Sequence, residues 1–377
     1  MPQVKPPHWF LWVCLLLSLL LAACQTPNAT LTPSPAAPSP TKDAKPFLTL
    51  TATSIPTATL ASSPTLPTPY TTEDAQPSPL PSETPGRRVI LMAVGDIMLG
   101  RTIGEMIEAN SSQAPFLDVA DTLRSADITV GNLECPISDR GEPEPKTYTF
   151  RAPVTAGESL AFAGFDLVNL ANNHSLDYGP HALSDTLEIL AANEIQTVGA
   201  GMDAAQAYAP AFIEVDGLRI AFLGFVDVHP TDYDYRAWEA GPNQPGVAWA
   251  HEDRVREGVI AAKAEADIVI VLVHNGYELV ERIGSQQQLI AQAAIESGAS
   301  LVIGSHPHVL QRIERYQEGL IAYSLGNFVF DNYLFPPNYS GILVVELTSQ
   351  GVKSYHMIDV IVQLNGVPQI MPYNRDN

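Results

Sequence analysis

The chain is poor in positive charge and poorer in cysteine. Lysine and arginine number 20 in 377 residues, against 41 aspartates and glutamates, for a formal charge of −21. Polyanion binding needs clustered basic residues, so this balance excludes nucleic acid as a partner. Three cysteines are too few for a disulfide scaffold. The apolar run Trp9–Leu21, broken only by Ser18, falls short of the ~20 residues a helix needs to span a bilayer. There is no internal repeat. What the chain does have is 46% hydrophobic residues and only 16% charged ones, enough for a sizeable core and too many for wholesale disorder. It also has 32 prolines, and their uneven placement shows where to divide it.

Residues 1–23 read as an export signal. Lys5 gives a weak positive start, Trp9–Leu21 an apolar core, and Leu21-Ala22-Ala23-Cys24 the form of a lipobox. In that reading Cys24 is lipidated and becomes the mature N-terminus; the competing reading is an ordinary signal peptide with an incidental cysteine. Residues 24–86 form a tether. Most of this stretch is Pro, Thr or Ser, as in Ser63-Pro64-Thr65-Leu66-Pro67. Such a composition cannot offset the entropy of ordering and should stay extended. The body, 87–377, carries 17 basic and 37 acidic residues, and Cys135 is its sole cysteine.

The body alternates apolar runs with helical patterns, the signature of an α/β fold whose strands are buried on both faces. Runs at Val89–Val94, Ile128–Val130, Leu167–Leu170, Ile220–Phe225, Ile268–Val273 and Leu301–Ile303 read as strands. Helices are expected near 180–192, 251–265 and 286–296. After Val309 the pattern turns to strands at 320–324, 342–347 and 352–362.

Five of the runs deliver Asp, Asn, Glu or His just past the strand, where α/β sheets collect their sites. Asp96 follows the first, Asn132 and Glu134 the second, Asn173 and His174 the third, His274 the fifth, and His306 and His308 the sixth. Residues of metal-ligand type on five strands suggest one shared site. In His306-Pro307-His308 the proline disfavours helix at His306, so the tripeptide should be extended with both imidazoles on one side. Two such groups can each reach one ion of a pair about 3.5–4 Å apart. Asn173 can add an uncharged oxygen ligand, and His174 is suited to proton transfer. Arg101 and Arg151 stand out in an acidic domain as candidate binders of an anionic group, with surface ion pairing as the competing role. Cys135 reads as a small buried hydrophobe. Asp177, Asn327 and Asp331 read as capping residues in turns, and His181, His229, His251 and His356 as structural or surface residues.

In order, Gly95-Asp96-Ile97-Met98, Gly131-Asn132-Leu133-Glu134, Asn172-Asn173-His174-Ser175-Leu176-Asp177-Tyr178-Gly179, His274-Asn275-Gly276-Tyr277-Glu278, Gly304-Ser305-His306-Pro307-His308-Val309 and Ser324-Leu325-Gly326-Asn327-Phe328 resemble the CapA family of capsule-synthesis proteins, relatives of the calcineurin-like metallophosphoesterases. The resemblance covers essentially the whole body. It implies a four-layer α/β/β/α sandwich with a dinuclear site of divalent ions (Mn, Fe or Zn) at the strand ends. Carried over residue by residue, Asp96, Asn173, His274, His306 and His308 match metal ligands, and His174 matches a proton donor to the leaving group. The broader phosphoesterase pattern has histidine where this chain has Met98 and a bridging aspartate where it has Asn132, so one metal position lacks a ligand unless Glu134 supplies it. The resemblance further implies an extracytoplasmic role in capsule or poly-γ-glutamate synthesis. It would involve an anionic envelope substrate or polymer, and capsule-synthesis membrane proteins as partners.

Overall fold

A computed structural model describes residues 87–228, 233–331 and 338–372. The export-signal and tether readings, Cys24 and His229 lie outside the described residues. Among the described residues no helix is long and apolar enough to cross a membrane.

The strands, in chain order, are β1 Val89–Ile97, β2 Ile128–Leu133, β3 Leu167–Asn169, β4 Gln196–Val198, β5 Ala200–Gly201, β6 Ala211–Val215, β7 Leu218–Asp227, β8 Gly246–Val247, β9 Ile268–Asn275, β10 Leu301–Ser305, β11 Ile313–Tyr316, β12 Gly319–Ala322, β13 Asn327–Val329, β14 Asn338–Thr348, β15 Gly351–Val362 and β16 Pro368–Ile370. The helices are α1 Arg101–Ala109, α2 Ala120–Leu123, α3 Ala156–Ala163, α4 Gly179–Ala192, α5 Ala204–Ala207, α6 Glu252–Lys263 and α7 Ser285–Glu296. One sheet runs β16-β15-β14-β1-β2-β3-β4, with β13 also paired to β1; a second runs β11-β12-β10-β9-β7-β6. Strands β1 to β4 are mutually parallel, as are β7, β9, β10 and β12. The late strands β14 and β15 form an antiparallel hairpin beside β1, with β16 at the edge of the first sheet.

Alternation along each strand decides the layers. Leu91 and Ala93 of β1 face Phe222, Ile270 and Ile303 of the second sheet, forming an apolar seam between the sheets. Their neighbours Met92 and Val94 point the other way, into a core shared with Ile103 of α1, Leu160 of α3 and Leu183 of α4. On the far side, Leu223 and Val271 pack against Val255 and Val259 of α6 and Ile290 of α7. Helix, sheet, sheet and helix therefore stack as the expected four-layer sandwich. Full burial of one such leucine contributes about 1.5–3 kcal/mol, which explains why the central strands read as continuous apolar runs.

The strands also run further than their apolar cores. Asp96, Asn132 and His274 lie inside the last residues of β1, β2 and β9, so the ladder itself fixes their backbones. A close approach completes the arrangement. A Cβ at Gly95 would stand 1.8 Å from the Gly326 carbonyl oxygen, and the Asp96 N–H donates to that oxygen at 2.9 Å. Glycine there lets β13 lie beside β1 and brings Asn327 into register with Asp96.

Candidate metal centre

The carboxyl ends of the two sheets meet, and four histidines converge there with two carboxylates. Glu134, on the segment leaving β2, is fully buried. Neither of its carboxylate oxygens has a hydrogen-bond partner. Imidazole nitrogens of His174, His274 and His308 stand 3.9, 3.9 and 3.8 Å from Oε1. His274 Nε2 lies 3.1 Å from His306 Nδ1 and 2.7 Å from Asn173 Oδ1. Asp96 Oδ2 lies 3.2 Å from His308 Nδ1 and accepts the His306 N–H at 3.2 Å. Three sets of ligand atoms each fall within 4.8 Å of one another: Glu134, His274 and His306; Asp96, Glu134 and His308; and Glu278, His306 and His308. Glu278, on the loop after β9, is exposed at the rim.

The electrostatics are those of a site short of cations. Burial, then the charge of Asp96, pushes the Glu134 carboxyl well above its ordinary range. Burial works in the same direction on Asp96, but the hydrogen bond and charge of His308, with the charge of His274, override it and hold Asp96 low. Burial pushes His274 down to about 3 and His174 down to about 4, and with the charges of His274 and His308 it holds His306 well below its usual value. His308 moves up: burial opposes the shift, but the hydrogen bond to Asp96 prevails. A buried carboxyl without donors, beside the neutral imidazoles of His174 and His274, is a costly arrangement for a protein alone. It is a fitting one for a divalent ion, which takes mixed nitrogen and oxygen ligands.

The arrangement differs from the sequence-based expectation at three places. His306-Pro307-His308 is not extended: His306 has φ +95° and His308 φ +58°. Local proline sterics are overruled by long-range hydrogen bonds, from the His306 N–H to Asp96 and from Leu279 N to the Pro307 carbonyl. Left-handed backbone at two non-glycine residues costs of order 1–3 kcal/mol each and tends to persist at functional sites.

Asn132 does not present an oxygen ligand. Its Oδ1 accepts from Asn169 Nδ2 at 3.1 Å and Asn172 Nδ2 at 3.2 Å, while its own Nδ2 donates to Asp96 Oδ1 at 2.9 Å. The orientation is dictated from outside. Asn169 Oδ1 accepts from Ala171 N, and Asn172 Oδ1 accepts from His174 N, so both neighbours must offer their amino groups to Asn132. Asn132 braces Asp96 instead.

Arg101 and Arg151 are not among the residues that meet in the cluster. They line a groove of about 730 Å³ that contains none of its residues and also holds Glu105, Glu108, Asp139 and Glu158. Arg101 is ion-paired to Asp331 and stacked 4.7 Å over Phe150. Arg151 lies 4.2 Å over Tyr178 and donates to the Arg140 carbonyl. Met98, at the position where the broader pattern has histidine, faces the core beneath α1, where its sulfur accepts the Gly100 N–H.

Several working residues gave no such signal in the sequence. Asp177 is no simple cap. Its Oδ2 lies 2.7 Å from His174 Nδ1 and accepts the Phe150 N–H at 2.6 Å. Asn327 Oδ1 holds His308 Nδ1 at 2.8 Å. These contacts orient each ring so that its Nε2 turns toward Glu134, the usual part of outer partners around a metal. Lys146 also belongs here. Its side chain is 1% exposed and its Nζ stands 2.5 Å from Asp177 Oδ1.

Residues 90–332 match the family "Bacterial capsule synthesis protein PGA_cap". The chain is 31% identical over 288 residues to the capsule biosynthesis protein CapA of Bacillus anthracis, covering 73% of this chain and 68% of that one. It is 33% identical over 273 residues to the PGA biosynthesis protein CapA of Bacillus subtilis, covering 71% of this chain and 70% of that one. It is also 31% identical over 215 residues to a probable polyglutamine synthesis accessory protein of Mycobacterium tuberculosis, covering 55% of this chain and 56% of that one. The matched residues run from β1 to just past β13, and the chain belongs to the bacterial capsule synthesis family PGA_cap.

Proposed function

We propose that the chain is a lipid-anchored, extracytoplasmic CapA-like protein of capsule and poly-γ-glutamate biosynthesis. It binds divalent metal at the strand-end cluster and hydrolyses or transfers a group of an anionic envelope substrate. The observation that carries the reading is Glu134, a buried carboxylate with no hydrogen-bond donor and three imidazoles within 4 Å. Asp96, Glu134, Asn173, His274, His306 and His308 would hold the metal, and Mn, Fe and Zn all suit such a set. When bound, the metal supplies Lewis acidity that activates water and polarises the scissile group. A body of charge −20 repels polyanions at long range, and Arg101 and Arg151 are already committed, so bound cations are what make the site attractive to an anion.

The protein's own part in the reaction is proton transfer. The bond to the leaving atom breaks with its electron pair on that atom, which takes a proton from His174 Nε2. The oxygen of water, or of an acceptor hydroxyl in a transfer, forms the new bond and releases its proton to solvent. An anion lying against Nε2 favours the protonated imidazole that this step requires. The test is elemental analysis of the purified chain beside His306→Ala and His308→Ala. Bound metal in the parent and its loss in both variants is the expected result; metal content unchanged by the substitutions would remove the site.

A second reading is a tethered accessory protein that binds or guides an envelope polymer without turnover. Met98 and Asn132 favour it, because neither position supplies a ligand. A panel of phosphomonoesters, phosphodiesters and γ-glutamyl polymers separates the two: turnover that vanishes in His174→Ala supports catalysis. The lipobox supports the anchor, and mass spectrometry of the mature N-terminus, with Cys24→Ala released from membranes, is its test.

A further inference from the structure

One buried cation stands beside the cluster and is not explained by metal binding. Lys146 comes from a stretch, Pro143-Glu144-Pro145-Lys146, that reads as surface loop. Its side chain is nevertheless buried, with Nζ 2.5 Å from Asp177 Oδ1 and 2.5 Å from the Asn173 carbonyl oxygen. The rings of Tyr235 and Trp238 lie 4.8 and 4.9 Å from the ammonium. The cage is itself tied to the lysine loop: Trp238 Nε1 donates to the Tyr233 hydroxyl at 3.1 Å, which donates to Glu144 at 2.8 Å.

A buried ion pair is a poor device for stability, since apolar replacement of both partners is often neutral or better. Two loops far apart in sequence nonetheless build a cage around this ammonium. The contacts show what it holds. Asp177 has Lys146 on one oxygen and His174 Nδ1 on the other, which leaves His174 Nε2 directed at the cluster. The Asn173 carbonyl, fixed by the same ammonium, precedes the peptide that carries His174, while the Asn173 side chain meets His274 Nε2 at 2.7 Å.

We propose that Lys146 is a positioning residue of the centre. Its caged ammonium fixes the Asn173 carbonyl and the Asp177 carboxylate together, and so aims Asn173 Oδ1 and His174 Nε2 into the cluster. The inference rests on the reading of His174 as proton donor, and the experiment keeps the two apart. Full-length Lys146→Met, Lys146→Arg and His174→Ala are compared with the parent on two phosphodiesters: diphenyl phosphate, whose phenolate leaves poorly, and bis(4-nitrophenyl) phosphate, whose leaving group needs no acid. Lys146→Met should lower kcat on diphenyl phosphate by about 100-fold, the lower range for a positioned acid. KM should stay within about twofold, kcat on the nitrophenyl ester should fall less than about fivefold, and Lys146→Arg should recover part of the loss. Equal losses on both esters mark a merely structural residue and overturn the proposal. Loss in His174→Ala with none in Lys146→Met overturns it as well, whereas normal turnover in His174→Ala overturns the proton-donor reading instead. An independent readout needs no turnover: imidazole ¹⁵N spectra of the chain should show His174 as a single Nδ1–H tautomer. In Lys146→Met they should show a tautomer mixture, with Lys146→Gln serving if the methionine variant does not fold. An unchanged His174 signature in the folded variant defeats the proposal.

Discussion

The strand-end cluster and the groove that holds Arg101 and Arg151 drew notice for the same reason, unusual charge in a context that suits a site. Their tertiary states are opposite. In the cluster, Glu134 lacks any donor and His274 and His306 face one another at 3.1 Å. In the groove, Arg101 already has Asp331 and two phenylalanine faces, and Arg151 has Tyr178 and a carbonyl. A site that awaits a ligand keeps polar groups unsatisfied at a cost in stability; a structural charge has its partners in place. Residue type does not separate the two cases, but the state of the partners does.

The contrast can be broken at either region. The largest effect is expected from Glu134→Leu, which should weaken metal retention by more than about 100-fold, beyond the range typical of outer-sphere partners. In chelator it should raise stability by about 1–3 kcal/mol, because a buried carboxyl without partners is gone. Thermal unfolding with and without chelator reads both, and a destabilised metal-free variant would contradict the picture of an unsatisfied site. Asn132→Asp should behave in reverse. Replacing the amide that donates to Asp96 at 2.9 Å costs the metal-free protein about 2 kcal/mol, and added Mn²⁺ should recover it through the extra carboxylate. In the groove, Arg101→Ala removes the charge partner of the buried Asp331, which keeps its hydrogen bonds from Thr102, with an expected loss of about 1–3 kcal/mol and metal content unchanged by elemental analysis. The smallest effect concerns Cys135. Burial pushes its thiol up to about 12, so below that pH it stays protonated and is a poor nucleophile. Disulfide-exchange reagents at pH 8 should label it only after unfolding; rapid labelling of the native protein would show a more open strand end.

The expectation was best where chemistry follows from local pattern. Continuous apolar runs separated by helical patterns require strands covered on both faces, and β1, β2, β3, β7, β9 and β10 form where those runs lie. Short strands such as β4, β5, β8 and β13 were not legible, since two or three residues carry no period and depend on a neighbour's edge. The proline rule failed at His306 because hydrogen bonds from residues far along the chain outweigh a local preference. Asn132 looked like a ligand because amides can be ligands; only Asn169 and Asn172, with their own partners fixed, turn its oxygen away. Lys146 was invisible among prolines and glutamates because its cage comes from Tyr235 and Trp238, about ninety residues later.

The sequence by itself determined the alternation that makes an α/β fold and the set of residues at the strand ends. These follow from composition, hydrophobic period and the geometry of parallel sheets, which are local or additive properties. Tertiary structure decided which of those residues meet, which of their atoms face inward, and which charges are already matched. Those outcomes depend on side chains from both sheets and four loops arriving at one place, and the energy of a buried polar group is set by whether a partner stands within hydrogen-bond reach.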